Sequence, residues 1–180
     1  MTINAENKLS LKFMLLFIPV AYISYLFHEF GHWIIGEVLG NNMVYSLNYV
    51  WPQSGYFIDP SHALYSSIGG PAFTILLSLL FLLIIEKYKT MYAYPFVFFQ
   101  MFIRFFALVF GVFEQQDEAR ISAILGLGAY TIATIVFLIL FLIVLRASYL
   151  LRINLQKNSY IFTMSTMCEL LVIGTYKMIS

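Results

Sequence analysis

Four apolar stretches, Leu11–Leu39, Leu64–Ile85, Met91–Phe113 and Ile121–Leu145, dominate the chain. Each reaches the roughly 20 residues that an α-helix needs to cross the hydrocarbon of a bilayer. No water is available there to hydrogen-bond the backbone, so such stretches fold as helices that satisfy their own N–H and C=O groups. Of the 180 residues, 61% are apolar and 11% charged, a balance that excludes an ordinary soluble domain. The expected fold is all-α: a polytopic transmembrane helix bundle with four spanning helices and a fifth, C-terminal helix over Tyr160–Ile179. That last segment carries Thr163, Ser165, Thr166, Glu169 and Thr175, so it can span, line the bundle or lie along the surface. Residues 1–180 read as a single membrane-embedded domain without internal repeats.

The first stretch is too long for a removable signal peptide and is expected to stay in the mature protein. Cys168 is the only cysteine, which excludes an internal disulfide and any cysteine-based zinc site. A net charge of +1, with no long run of Lys or Arg, leaves no basic surface for nucleic acid. The expected surroundings and partners are the lipid bilayer and a membrane protein or peptide substrate.

Within the first stretch stands His28-Glu29-Phe30-Gly31-His32. Residues four apart share a helix face, so both imidazoles can grip one zinc ion. Glu29 follows the first of them, where it can act as general base without being a ligand. Two histidines and a glutamate are costly to hold in hydrocarbon unless something compensates, and zinc does.

A catalytic zinc takes three protein ligands and keeps one position open. His62, Glu37, Glu114, Asp117 and Glu118 qualify chemically. The histidine run occupies the outer third of the first helix. The turn from Glu114 to Arg120 reaches the same level, as does the start of the second helix with Gly69, Gly70 and Pro71. Those glycines either leave backbone groups free for a substrate strand or only permit close packing, and Pro71 suits a helix start. Tyr45, Tyr49 and Tyr56 are candidate donors to an oxyanion. Arg104 and Glu169, both intramembrane charges, are expected to pair.

Three motifs resemble the site-2 protease family of membrane-embedded zinc metallopeptidases. Members carry H-E-x-G-H in a transmembrane helix, as in His28–His32, and a Gly-Pro element at the next core helix, as in Gly69-Gly70-Pro71. Their third ligand is an aspartate in a downstream Asp-Gly motif, which Asp117-Glu118-Ala119-Arg120-Ile121 resembles, with Glu118 in place of the glycine. The resemblance covers Leu11 to about Leu145. It implies an intramembrane zinc endopeptidase with His28, His32 and Asp117 as metal ligands and Glu29 as the catalytic base. Glu114 or Glu118 stands as the alternative ligand. The rival class is a non-proteolytic membrane protein that handles metal or binds transmembrane partners.

Lys8, Lys12, Lys87, Lys89, Arg146, Arg152 and Lys157 fall on one side of a four-span topology. By the positive-inside rule that side, with the N-terminus, is cytoplasmic, and the Asn41–Ser61 connection is outside a cell membrane. The family resemblance, in contrast, implies zinc nearer the cytoplasm. In the connection, Tyr45, Leu47 and Tyr49 alternate with Ser46 and Asn48. That is a weak strand signal, read either as a loop lid or as an edge able to pair with an extended peptide.

Overall fold

The computed structural model describes residues 9–47, 49–110 and 116–179. Lys8, Asn48 and Glu114 lie outside them. The chain is a helical bundle, and four of its helices are long and apolar enough to cross a membrane.

The first crossing combines α1 (Leu11–Leu15) and α2 (Phe17–Val38). Pro19 has no N–H to give the Leu15 carbonyl, which explains the break between them. Ser10 caps α1 by accepting from the Phe13 N–H. A hairpin follows, β1 (Met43–Ser46) and β2 (Tyr49–Pro52), antiparallel with Met43 opposite Pro52 and Ser46 opposite Tyr49. The period-two signal over 45–49 therefore covers the end of one strand, a turn and the start of the other.

The second crossing, α3 (Pro60–Tyr88), starts four residues before the apolar run does. Asp59 caps it, accepting from the Ser61 N–H at 2.7 Å, and Pro60 takes the first helical position. Pro71 is therefore an interior residue and not a helix start. A 3₁₀ turn at Met91–Ala93 leads into α4 (Tyr94–Phe110). The expected fourth helix from Ile121 is two helices instead, α5 (Asp117–Ile124) and α6 (Thr131–Leu151). Gly126, at φ 65°, breaks the run by taking the left-handed backbone that ends α5. The chain closes with α7 (Leu155–Ile179), which the four candidate spans do not include.

Phe13, Phe17, Val20 and Ala21 pack with Ile85, Tyr94, Val97, Phe102, Leu140 and Ala147 in one core. Leu76, Leu80 and Leu83 on α3 and Leu138, Leu142 and Leu145 on α6 point outward and stay exposed, as lipid-facing side chains do. Helix α7 lines the bundle: Phe162 meets Phe102 and Phe105 edge-on, and Thr175 shares a hydrogen bond with Tyr22.

The central packing is α2 on α3. A Cβ on Gly31 would overlap the Gly69 carbonyl, and one on Gly69 would overlap the Gly31 carbonyl. Two backbones this close need glycine at both positions, the small-residue logic of helix contacts in membranes. Gly69 and Gly70 therefore serve as space in a continuous helix.

Candidate metal centre

His28 and His32 project from one face of α2 with Glu29 beside them, and all three are buried. One ligand atom from each lies within 4.8 Å of the others, close enough to hold a metal ion. The imidazole planes stand nearly perpendicular, with centroids 4.8 Å apart. Gly70 makes room for them, since a Cβ there would run into both rings.

Asp117, at the first position of α5, reaches the same point. Its Oδ2 lies 3.0 Å from His28 Nε2 and 3.1 Å from His32 Nε2, and the two Nε2 atoms are 3.2 Å apart. Ligands about 2.0–2.1 Å from a tetrahedral centre lie roughly 3.3–3.4 Å from one another, so this triangle is close to one face of such a tetrahedron.

The other ring nitrogens decide what these atoms can bind. His32 Nδ1 lies 2.7 Å from the Ser66 carbonyl, which can only accept, so Nδ1 carries the proton. His28 Nδ1 lies 2.9 Å from Thr74 Oγ1. That hydroxyl donates to the Gly70 carbonyl, so it accepts from His28. Both neutral imidazoles thus aim Nε2 lone pairs at the carboxylate oxygen. Three acceptors facing one another need a cation between them, either a proton or a metal ion. With protons there, burial alone would raise the Asp117 pKa, but the His32 charge and the hydrogen bonds of both imidazoles hold it well below the usual carboxylate range.

No family model, curated protein or solved structure matches this chain. Geometry therefore carries the functional reading.

Among the described residues, the remaining ligand candidates His62, Glu37 and Glu118 are engaged elsewhere. His62 Nδ1 lies 3.1 Å from Asn41 Nδ2, and Glu37 Oε1 accepts from the Met43 N–H at 2.8 Å. Glu118, only 1% exposed, accepts from Arg104 Nη1 at 2.8 Å. The expected Arg104–Glu169 pair does not form, because Glu169 accepts from the Tyr25 hydroxyl instead. The nearer partner wins: α5 brings Glu118 against α4, which leaves Glu169 to α2.

A cavity of about 660 Å³ opens beside His28, Glu29 and His32. The hairpin contributes Tyr49, Val50 and Trp51 to its wall, while Arg104, Arg120 and Glu169 enter from the helices. Of the three tyrosines proposed as oxyanion donors, only Tyr49 lines this cavity. Tyr45 spends its hydroxyl on the Leu26 carbonyl, and Tyr56 faces a different depression.

The sequence pattern does not mark Ser66, Thr74 or the Arg104–Glu118 pair as supports of the histidines or of the Asp117 turn. One signal was present. Ser66, Gly70 and Thr74 recur every four residues, which sets small and hydroxyl-bearing residues along one face of the helix.

Proposed function

We propose that the chain is an intramembrane zinc endopeptidase resembling the site-2 proteases, with His28, His32 and Asp117 as ligands and Glu29 as general base. The observation that carries this reading is the convergence of three lone-pair-bearing atoms within 3.2 Å, beside a buried glutamate, with both histidines on a helix long and apolar enough to cross a membrane. Two nitrogens and one carboxylate oxygen are a zinc donor set that leaves a fourth position for chemistry.

When bound, zinc supplies Lewis-acid polarisation of a carbonyl and lowers the pKa of water to about 7. Glu29 takes a proton from the attacking water and delivers it to the leaving amine. The Ser66 carbonyl and Thr74 hydroxyl hold the imidazoles in the tautomer that keeps each Nε2 lone pair available. The 660 Å³ cavity beside them, with a wall that mixes apolar side chains such as Trp51 and Phe106 with Arg104 and Arg120, gives a peptide segment room to approach the metal position.

A transmembrane substrate hides its carbonyls in its own helix, so it must unwind locally before attack. Strand β2 offers an unwound segment an edge for backbone hydrogen bonds. Single-span proteins, signal-peptide remnants and small membrane peptides with helix-weakening residues fit that demand. The distribution of Lys and Arg supports a cell-membrane protein with a cytoplasmic N-terminus.

Metal analysis and a cleavage assay on wild type and Glu29→Gln test the proposal together. Glu29→Gln is expected to retain zinc and lose about 10²- to 10⁴-fold in cleavage rate. Equal cleavage by both proteins would remove Glu29 as the base. Stoichiometric zinc without cleavage of any membrane substrate would favour the metal-binding, non-proteolytic class.

A further inference from the structure

Arg104 and Glu118 are buried charges that the cleavage chemistry leaves unused. Their side chains are 13% and 1% exposed and meet through one 2.8 Å contact. Glu118 Oε2 and Arg104 Nε have no hydrogen-bond partner among the described residues, which adds to the cost of burying them. Such a pair is no more stabilising than well-packed apolar residues of the same volume, so stability does not account for it.

Its position does. Glu118 is the neighbour of Asp117 in the first turn of α5. Successive helix residues project about 100° apart, so Asp117 faces the imidazoles while Glu118 faces α4. Helix α5 has eight residues, too few to hold itself in place, and its contacts decide where Asp117 sits. On the other flank Arg120 reaches Ser67 Oγ of α3 at 3.1 Å and lies over the Trp51 ring.

We propose that the Arg104–Glu118 ion pair is the positioning device that sets Asp117 against the two histidines. This rests on the reading of Asp117 as the third ligand. A charge pair inside an apolar bundle forms in one seating of α5 and is lost in others, so it fixes the depth and rotation at which the ligand is presented. Neither residue binds the metal. Arg104 and Glu118 act on it through the placement of Asp117.

The test uses the full chain in detergent, with Zn²⁺ affinity read by chelator competition and ligand geometry by the absorption spectrum of the Co²⁺-loaded protein. Glu118→Gln and Arg104→Gln are each expected to weaken Zn²⁺ binding about 10- to 100-fold, the scale for supports of a metal ligand. The Co²⁺ spectrum of Glu118→Gln should change as Asp117 leaves the metal. Arg146→Gln, which breaks the exposed Arg146–Glu86 pair, should match wild type in both readouts. A folded Glu118→Gln protein with wild-type affinity overturns the proposal, and so does weakened binding with an unchanged Co²⁺ spectrum. If the lone charge left by either single variant prevents folding, Arg104→Met combined with Glu118→Leu removes the pair without stranding a charge. A folded double variant with weakened Zn²⁺ binding supports positioning, and one with wild-type affinity overturns it. Wild type that binds no Zn²⁺ would instead bring down the metal reading itself, and Asp117→Ala that binds it fully would bring down the assignment of Asp117 as third ligand on which this proposal rests.

Discussion

At the scale of single residues, the site is decided by where protons sit. His28 and His32 offer Nε2 lone pairs because Thr74 and the Ser66 carbonyl occupy their Nδ1 hydrogens. Thr74 is the only one of these two acceptors that a side-chain change can remove. Thr74→Val keeps the shape and deletes the acceptor, so it is expected to weaken Zn²⁺ binding about 10- to 100-fold. Chelator competition measures this directly, and wild-type affinity would show that the His28 tautomer is fixed some other way. Glu29, in contrast, is expected to affect cleavage while leaving the metal in place, which separates base from ligand in a single pair of assays.

Among the elements, the contact between α2 and α3 matters most, and glycine determines it. Replacing Gly by Ala inside a helix normally favours the helix by about 1 kcal/mol. At Gly31 the added methyl meets the Gly69 backbone, which cannot yield, and an overpacked contact costs about 1–3 kcal/mol. At Gly36 it meets only the Met43 side chain, from Cγ to Cε, which unlike a backbone can rotate away. Gly31→Ala is therefore expected to lower the thermal midpoint in detergent, with Gly36→Ala close to wild type. Equal effects at both positions would mean that the helices separate easily at Gly31.

For the whole molecule, membrane orientation decides which compartment the site faces. The hairpin and the α3–α4 turn lie at opposite ends of α3, and the basic residues gather at the latter. Native Cys168 is buried at 2% exposure, so engineered cysteines can be read against a low background. Ser54→Cys, in the exposed turn after β2, is expected to react with a membrane-impermeant maleimide on intact cells, and Lys87→Cys is not. The reverse pattern would place the metal centre nearer the cytoplasm, as the family resemblance implies.

The apolar runs and the H-E-x-x-H spacing are local properties, so the sequence alone determined a helical membrane bundle, with the two histidines on one face and Glu29 beside them. It also gave Asp117 as a candidate, but beside Glu114, Glu118, His62 and Glu37. Only the tertiary structure distinguished Asp117, His62, Glu37 and Glu118, because what separates them is the partner each finds across the bundle. The break of the Ile121 helix at Gly126 and the interior position of Pro71 are invisible to hydropathy, which sees composition and not backbone dihedrals. The expected Arg104–Glu169 pair failed for a related reason: sequence shows which charges are buried but not which are adjacent. Proximity between residues 14 apart on different helices, such as Arg104 and Glu118, is set by how α5 packs on α4, and no local pattern encodes it.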